Sequence, residues 1–211
     1  AQSSQASAID LQNALSSSIE EIGAFIHDSR IDCGWHKGGT LSFATNLPQL
    51  QRILESIAMA RKFGFHEQFV DFISPEQANE RVRTNSSLGA SYSPHCAVVH
   101  PAKLVDGLVK SLLDRNVQFF GSTRVVEIEP HRVRAQLSQG SVSITGKWIV
   151  RATEGFTARM KQYRRDVAPL YSYMIATEPL SQSQWDDIGW TKRETVSDGR
   201  NLVIYAQRTS D

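Results

Sequence analysis

Residues 96–137 read CAVVHPAKLVDGLVKSLLDRNVQFFGSTRVVEIEPHRVRAQL, and the order of elements in this stretch sets the fold class. Cys96–Val99 is a short apolar strand. His100-Pro101 opens a helix to about Arg115, carrying Leu104, Leu108, Leu112 and Leu113 at helical spacing. Asn116 ends it, and Val117-Gln118-Phe119-Phe120 is the next strand. Arg124–Glu129 and Arg132–Leu137 follow as further strands. A helix followed by successive strands departs from strict βαβ alternation and points to a mixed α/β or α+β pattern with prominent hairpins.

Toward the N-terminus the pattern is mostly helical. Leu11, Leu15, Ile19, Ile22 and Ile26 form one stripe at period 3.6, predicting a helix over 5–29. Cys33 to Ala44 reads as a hairpin turning at Lys37-Gly38-Gly39. Asn46 caps a helix over 47–63, with Gly64 just past its end. Ser74-Pro75-Glu76-Gln77 is a helix start: Ser as N-cap, Pro at the first position, Gln closing a capping box. Asn85–Ser93 reads as a loop. Toward the C-terminus, strands are predicted at Ser141–Arg151, Leu170–Thr177 and around the turn Ser197-Asp198-Gly199-Arg200. A basic helix (157–165) and a Trp-containing helix (182–188) interrupt them. The expected fold is α+β: a mixed, largely antiparallel sheet with flanking helices.

Composition narrows function. The 211 residues carry 23 Lys+Arg against 22 Asp+Glu, a net charge of +1. That balance lacks the basic field of a non-specific nucleic-acid binder. No apolar run approaches the roughly 18 residues of a membrane span. No signal peptide is visible, and two cysteines make no disulfide framework, so a cytoplasmic location is expected. Cys33-x-x-His36 and His95-Cys96-x-x-x-His100 resemble fragments of zinc sites, but i and i+3 on a strand face opposite ways. Cys96 precedes Ala97-Val98-Val99 and reads as a small core residue, so no metal is expected. There is no Gly-x-Ser-x-Gly elbow for a hydrolase. No two glycines lie two positions apart, so the chain has neither a Gly-x-Gly pyrophosphate turn nor a P-loop. The run Arg159, Lys161, Arg164, Arg165 reads as a solvated face.

Three segments read together carry a resemblance. They are His100-Pro101-Ala102-Lys103-Leu104-Val105, Gly121-Ser122-Thr123-Arg124-Val125-Val126, and Trp148-Ile149-Val150-Arg151-Ala152-Thr153-Glu154-Gly155-Phe156. Ala168-Pro169-Leu170-Tyr171-Ser172-Tyr173 and Asn201–Arg208 extend it. Their order resembles flavoprotein oxidoreductases of the D-amino-acid oxidase type, which include glycine oxidase, sarcosine oxidase and gamma-glutamylputrescine oxidoreductase-like enzymes. The resemblance covers most of the chain. It implies three segments: 1–93 as the helix-and-hairpin part of a substrate domain, 94–166 as a partial FAD-binding domain, and 167–211 as substrate-domain strands.

By the same resemblance FAD is the cofactor, contacted at Val125 through backbone groups and at Ala152, Thr153, Glu154 and Gly155. The family usually has Gly where Glu154 stands, and here Gly155 follows one place later. Tyr171, Tyr173, Tyr205 and His95 are the candidate wall for a small amine or amino-acid substrate. The implied reaction is amine oxidation by hydride transfer to flavin, in which the cofactor carries the chemistry. Family members begin with a Gly-rich βαβ unit and finish with a segment that closes around the flavin. The expectation is therefore a fragment whose N- and C-terminal partner segments lie elsewhere in the same protein, and which binds little flavin alone. The alternative is a non-catalytic module that binds a small molecule or a partner.

Overall fold

The computed structural model describes residues 4–209. Its helices and strands run α1 (Gln5–Asp28), β1 (Thr40–Phe43), α2 (Leu47–Lys62), β2 (Asp71–Ile73), α3 (Pro75–Arg81), β3 (Ala90–Ser93), α4 (Pro101–Leu113), β4 (Arg124–Glu129), β5 (Arg132–Leu137), β6 (Gly140–Thr145), α5 (Gln182–Ile188), β7 (Thr195–Asp198) and β8 (Tyr205–Ala206). Two short 3-10 turns, Glu154–Arg159 and Lys161–Tyr163, precede α5. Contacts divide the chain into two compact units. One joins Ala1–Arg115 to Thr177–Asp211; the other is Asn116–Ala176. Helix α4 packs with the first unit, although the sequence reading grouped 94–166 together.

Helix starts follow local chemistry. Asn46 Oδ1 accepts from the Gln49 N–H at 3.0 Å and caps α2. Ser74 and Gln77 form the expected capping box on α3, and Ser181 with Gln184 repeats it on α5. His100 caps α4 with its ring, Nδ1 accepting from the Lys103 N–H at 3.3 Å. Each such bond satisfies an N–H that the first helical turn leaves without a carbonyl.

The first unit holds a five-stranded sheet in the order β2-β3-β1-β7-β8. All neighbours are antiparallel except β1 and β7. This is the mixed, largely antiparallel sheet that the sequence implied. Its core gathers Leu41 and Phe43 from β1, Ala90 from β3, Ala78 and Val82 around α3, and Trp190 after α5. The buried Glu194 lies beside this core. Its Oε1 accepts from Arg81 Nη1 at 3.0 Å, its backbone carbonyl accepts from Trp190 Nε1 at 2.9 Å, and its Oε2 is unpartnered. The Arg81 guanidinium also lies 4.0 Å over the Tyr92 ring.

The expected hairpin at 33–44 does not form. Both of its halves pair with one distant segment instead: β1 runs antiparallel to β3, the Gly39 N–H donates to the Cys96 carbonyl, and His36 bridges Val98. The Gly38-Gly39 pair is there for close approach rather than for reversal. A Cβ on Gly38 would sit 2.3 Å from the Lys192 carbonyl oxygen, and Gly39, at φ +81°, lies against Ser93 and Tyr92. Local alternation cannot tell a hairpin from two strands that find a remote partner.

The second unit is the three-stranded antiparallel meander β4-β5-β6, with a bulge between Val125 and Glu127. Here the strand expectations were too generous. Among the described residues, Val117–Phe120 is not a strand, Ser141–Arg151 pairs only as far as Thr145, and Leu170–Thr177 has no strand partner. The basic helix at 157–165 is replaced by the two 3-10 turns. A strand needs a neighbour for its backbone groups, and apolar composition alone supplies none.

Candidate functional site

The flavin candidates all lie in the 116–176 unit. Val125 is half-buried in β4 and faces Ala135 of β5. Strand β4 is an edge of its sheet, so one row of its backbone groups points away from β5. On β4 the Ile128 carbonyl accepts from Gln162 Nε2 at 2.8 Å. Ala152 is exposed and Thr153 half-buried. The Thr153 and Thr157 hydroxyls are 2.7 Å apart, which ties the turn to the first 3-10 helix. Glu154 has φ +41°, the left-handed region that favours glycine, and its carboxylate accepts from the Gly155 N–H. That conformation gives a structural reason for the family's glycine at this place.

A cleft of about 880 Å³ has three of the candidates in its lining: Glu154, Gly155 and Tyr171. Val125, Ala152, Thr153 and Tyr173 do not line it. Residues that the sequence reading missed do: Arg151, Phe156, Thr157 and Arg159. Arg151 pairs with Asp166 at 3.1 Å and lies 3.9 Å over the Tyr163 ring; Arg159 lies 5.1 Å over Phe156. The basic run carried a signal for Arg159, but nothing local distinguished its stacked guanidinium from a solvated one. Tyr171 and Tyr173 are 88% and 100% exposed.

The remaining substrate candidates belong to the other unit. Tyr205 is exposed in β8, opposite Ser197. His95 follows β3 and is half-buried. Its ring stacks on Phe69 at 4.5 Å, and Phe69 stacks in turn on Phe65 at 4.6 Å. Burial, then the Lys37 ammonium, hold the imidazole below its usual pKa, with Glu20 acting in the opposite sense. His95 is thus biased toward the neutral ring, which offers one nitrogen as acceptor and one as donor. Lys37 is itself in contact with Glu20.

Among the described residues no helix is long and apolar enough to cross a membrane. Of the cysteines, Cys33 is buried, and the Cys96 sulfur lies 3.4 Å from the Thr195 hydroxyl.

Comparison with known proteins gives the fold its relatives. The chain is 23% identical over 207 residues to a probable oxidoreductase, OrdL, of Haemophilus influenzae, covering 95% of this chain and 47% of that protein. It therefore spans about half the length of this curated relative. Among solved structures, L-proline dehydrogenase from P. horikoshii is similar over 93% of this chain and 52% of its own, with a TM-score of 0.67 at 16% identity. Glycine oxidase from Geobacillus kaustophilus is similar over 78% of this chain and 44% of its own, with a TM-score of 0.60 at 20% identity. Glycine oxidase from Bacillus cereus has a TM-score of 0.52 at 20% identity, over 64% and 38%. At these identities the structures speak for the fold alone. Residues 3–211 match the DAO family of FAD dependent oxidoreductases, and the chain belongs to that family.

Proposed function

We propose that this chain is part of a longer FAD-dependent enzyme that oxidises a small amine or amino acid. The observation that carries the reading is the family match over nearly the whole chain. Two solved relatives of the same fold are a glycine oxidase and an L-proline dehydrogenase, which favours an amine or amino-acid substrate. The cytoplasm is the proposed location, on the strength of two cysteines that form no disulfide.

The fit of FAD to these residues differs along the cofactor. The outer edge of β4 at Val125 offers backbone donors and acceptors of the kind an adenine edge needs. The 153–155 turn suits a pyrophosphate poorly. Glu154 brings a negative charge, and its carboxylate already takes the Gly155 N–H. The sequence holds no Gly-x-Gly turn, so a phosphate cradle must come from other polypeptide. When bound, FAD supplies the hydride acceptor. The chain's own part is to hold substrate. In this reading the neutral His95 ring offers a lone pair to an ammonium N–H, and Tyr205 of the same unit supplies an aromatic ring and a hydroxyl.

The full-length protein, purified with its flavin, tests the reading. A panel of small amines and amino acids is added without oxygen, and flavin absorbance near 450 nm is followed. Bleaching by a member of the panel is expected. A flavin that none of them reduces, in protein that dithionite does reduce, would overturn the substrate class. The 211 residues alone are expected to purify colourless; a stoichiometric flavin spectrum would contradict the division of the cofactor site.

A further inference from the structure

Helix α2 leads into β2 through residues 63–70, and one side chain holds this loop at both ends. Arg61 Nη1 donates to the Phe65 and Val70 carbonyls, each at 2.8 Å, and Nη2 donates to Asp71 Oδ1 at 2.9 Å. Its Nε lies 3.9 Å from Glu67 Oε1. Inside the loop the Phe69 N–H donates to the His66 carbonyl at 2.9 Å and tightens the turn. A planar guanidinium fork lets one residue reach two carbonyls and a carboxylate at once; a lysine ammonium presents no such fork.

The loop held in this way carries the ring that packs on His95. Phe69 stacks on the imidazole at 4.5 Å. The Ser93 hydroxyl joins the same two segments through their backbones, donating to the Phe69 carbonyl at 2.7 Å and accepting from the His95 N–H at 3.3 Å. Among the described residues neither ring nitrogen of His95 has a hydrogen-bond partner. Packing against Phe69 therefore selects the rotamer of the imidazole, where a bond of its own would otherwise do so. Both nitrogens stay available to a ligand.

We propose that Arg61 is a positioning residue for His95: its guanidinium fixes the 65–71 loop so that Phe69 holds the imidazole ready for a substrate amine. The proposal rests on the reading that His95 meets the substrate. Anaerobic flavin reduction in the full-length protein tests it, with the panel amine or amino acid that bleaches the flavin. Arg61→Lys keeps the charge and loses the fork. It should raise the substrate dissociation constant about tenfold and leave the limiting rate of bleaching nearly unchanged. In a His95→Asn background the same substitution should add no further weakening, because groups that act through one contact are not additive. An equal effect in the two backgrounds would overturn the proposal, and so would parent-like binding by Arg61→Lys. An NMR pH titration of the His95 ring, without substrate, gives a second readout. Burial leads the causes that hold its midpoint below 6.5, ahead of Lys37, and Glu20 opposes both. Arg61→Lys should therefore raise the midpoint toward 6.5, and so should Phe69→Leu, which removes the stack and keeps the fork. A midpoint unmoved in both variants would overturn the proposal whatever the substrate. Parent-like binding by His95→Asn would instead remove the underlying reading, while the NMR shifts would still report the link from Arg61 to the ring.

Discussion

Among the described residues, eleven of the buried apolar ones lie in the unit formed by residues up to 115 and from 177, and one, Ala135, lies in the 116–176 unit. The first unit surrounds its central strand β1 with β3, β7 and helix α3, so Leu41 and Phe43 lose nearly all contact with water. The second has a three-stranded meander with apolar side chains still facing solvent, among them Val142 and Ile144. The difference teaches that apolar burial, and with it most of the packing energy, is concentrated in the first unit.

The largest effect that would break this contrast is expected in the first unit. Leu41→Ala empties a fully buried site on the central strand and should cost about 3–5 kcal/mol in chemical denaturation. A cost below about 1 kcal/mol would mean that the core is looser than its burial indicates.

Arg81→Met leaves the buried Glu194 carboxylate without the one ion-pair partner it has among the described residues. It should cost about 3 kcal/mol, the low end for such a loss because Arg81 is a quarter exposed. Replacing both residues together, Arg81→Met with Glu194→Leu, should recover most of that cost. A double variant as unstable as the single one would show that the carboxylate is needed for more than its partner.

The second unit should respond in the opposite way. Tyr173→Ala removes a fully exposed ring and should change the stability of the 211-residue chain by less than about 0.5 kcal/mol. A larger loss would mean that the ring already packs against something, and the contrast between the units would narrow.

The smallest effect is a pH dependence at His95. Its folded pKa lies below the usual 6.5, so between the two values the unfolded chain binds the additional proton. Stability is then full above about 6.5 and declines as pH falls through the depressed value. Denaturation midpoints at pH 5 and pH 8 should differ less in His95→Asn than in the parent chain. An unchanged difference would assign the slope to other groups.

Much of the local architecture was legible. The capping box at Ser74, the Asn46 cap and the stripe from Leu11 to Ile26 each rest on contacts within one turn of helix. The antiparallel strands 124–129 and 132–137 are near neighbours in sequence and were equally readable. The site was legible only in pieces. Glu154, Gly155 and Tyr171 share a cleft, but Arg151 and Arg159 joined it without a distinguishing local signal.

Sequence by itself determined the long helices α1, α2 and α4 and the family resemblance, because caps, periodicity and motif order are properties of neighbouring residues. Tertiary structure alone decided that 36–43 pairs with 90–98 rather than folding back on itself, since a strand's partner is chosen by long-range burial. It alone decided that Gly38 must lack a side chain, for the reason that Lys192 passes against it from 154 residues away. It also decided that 148–151 and 170–175 stay unpaired here. Apolar sequence creates the demand for a neighbouring strand, and only the assembled fold can meet it.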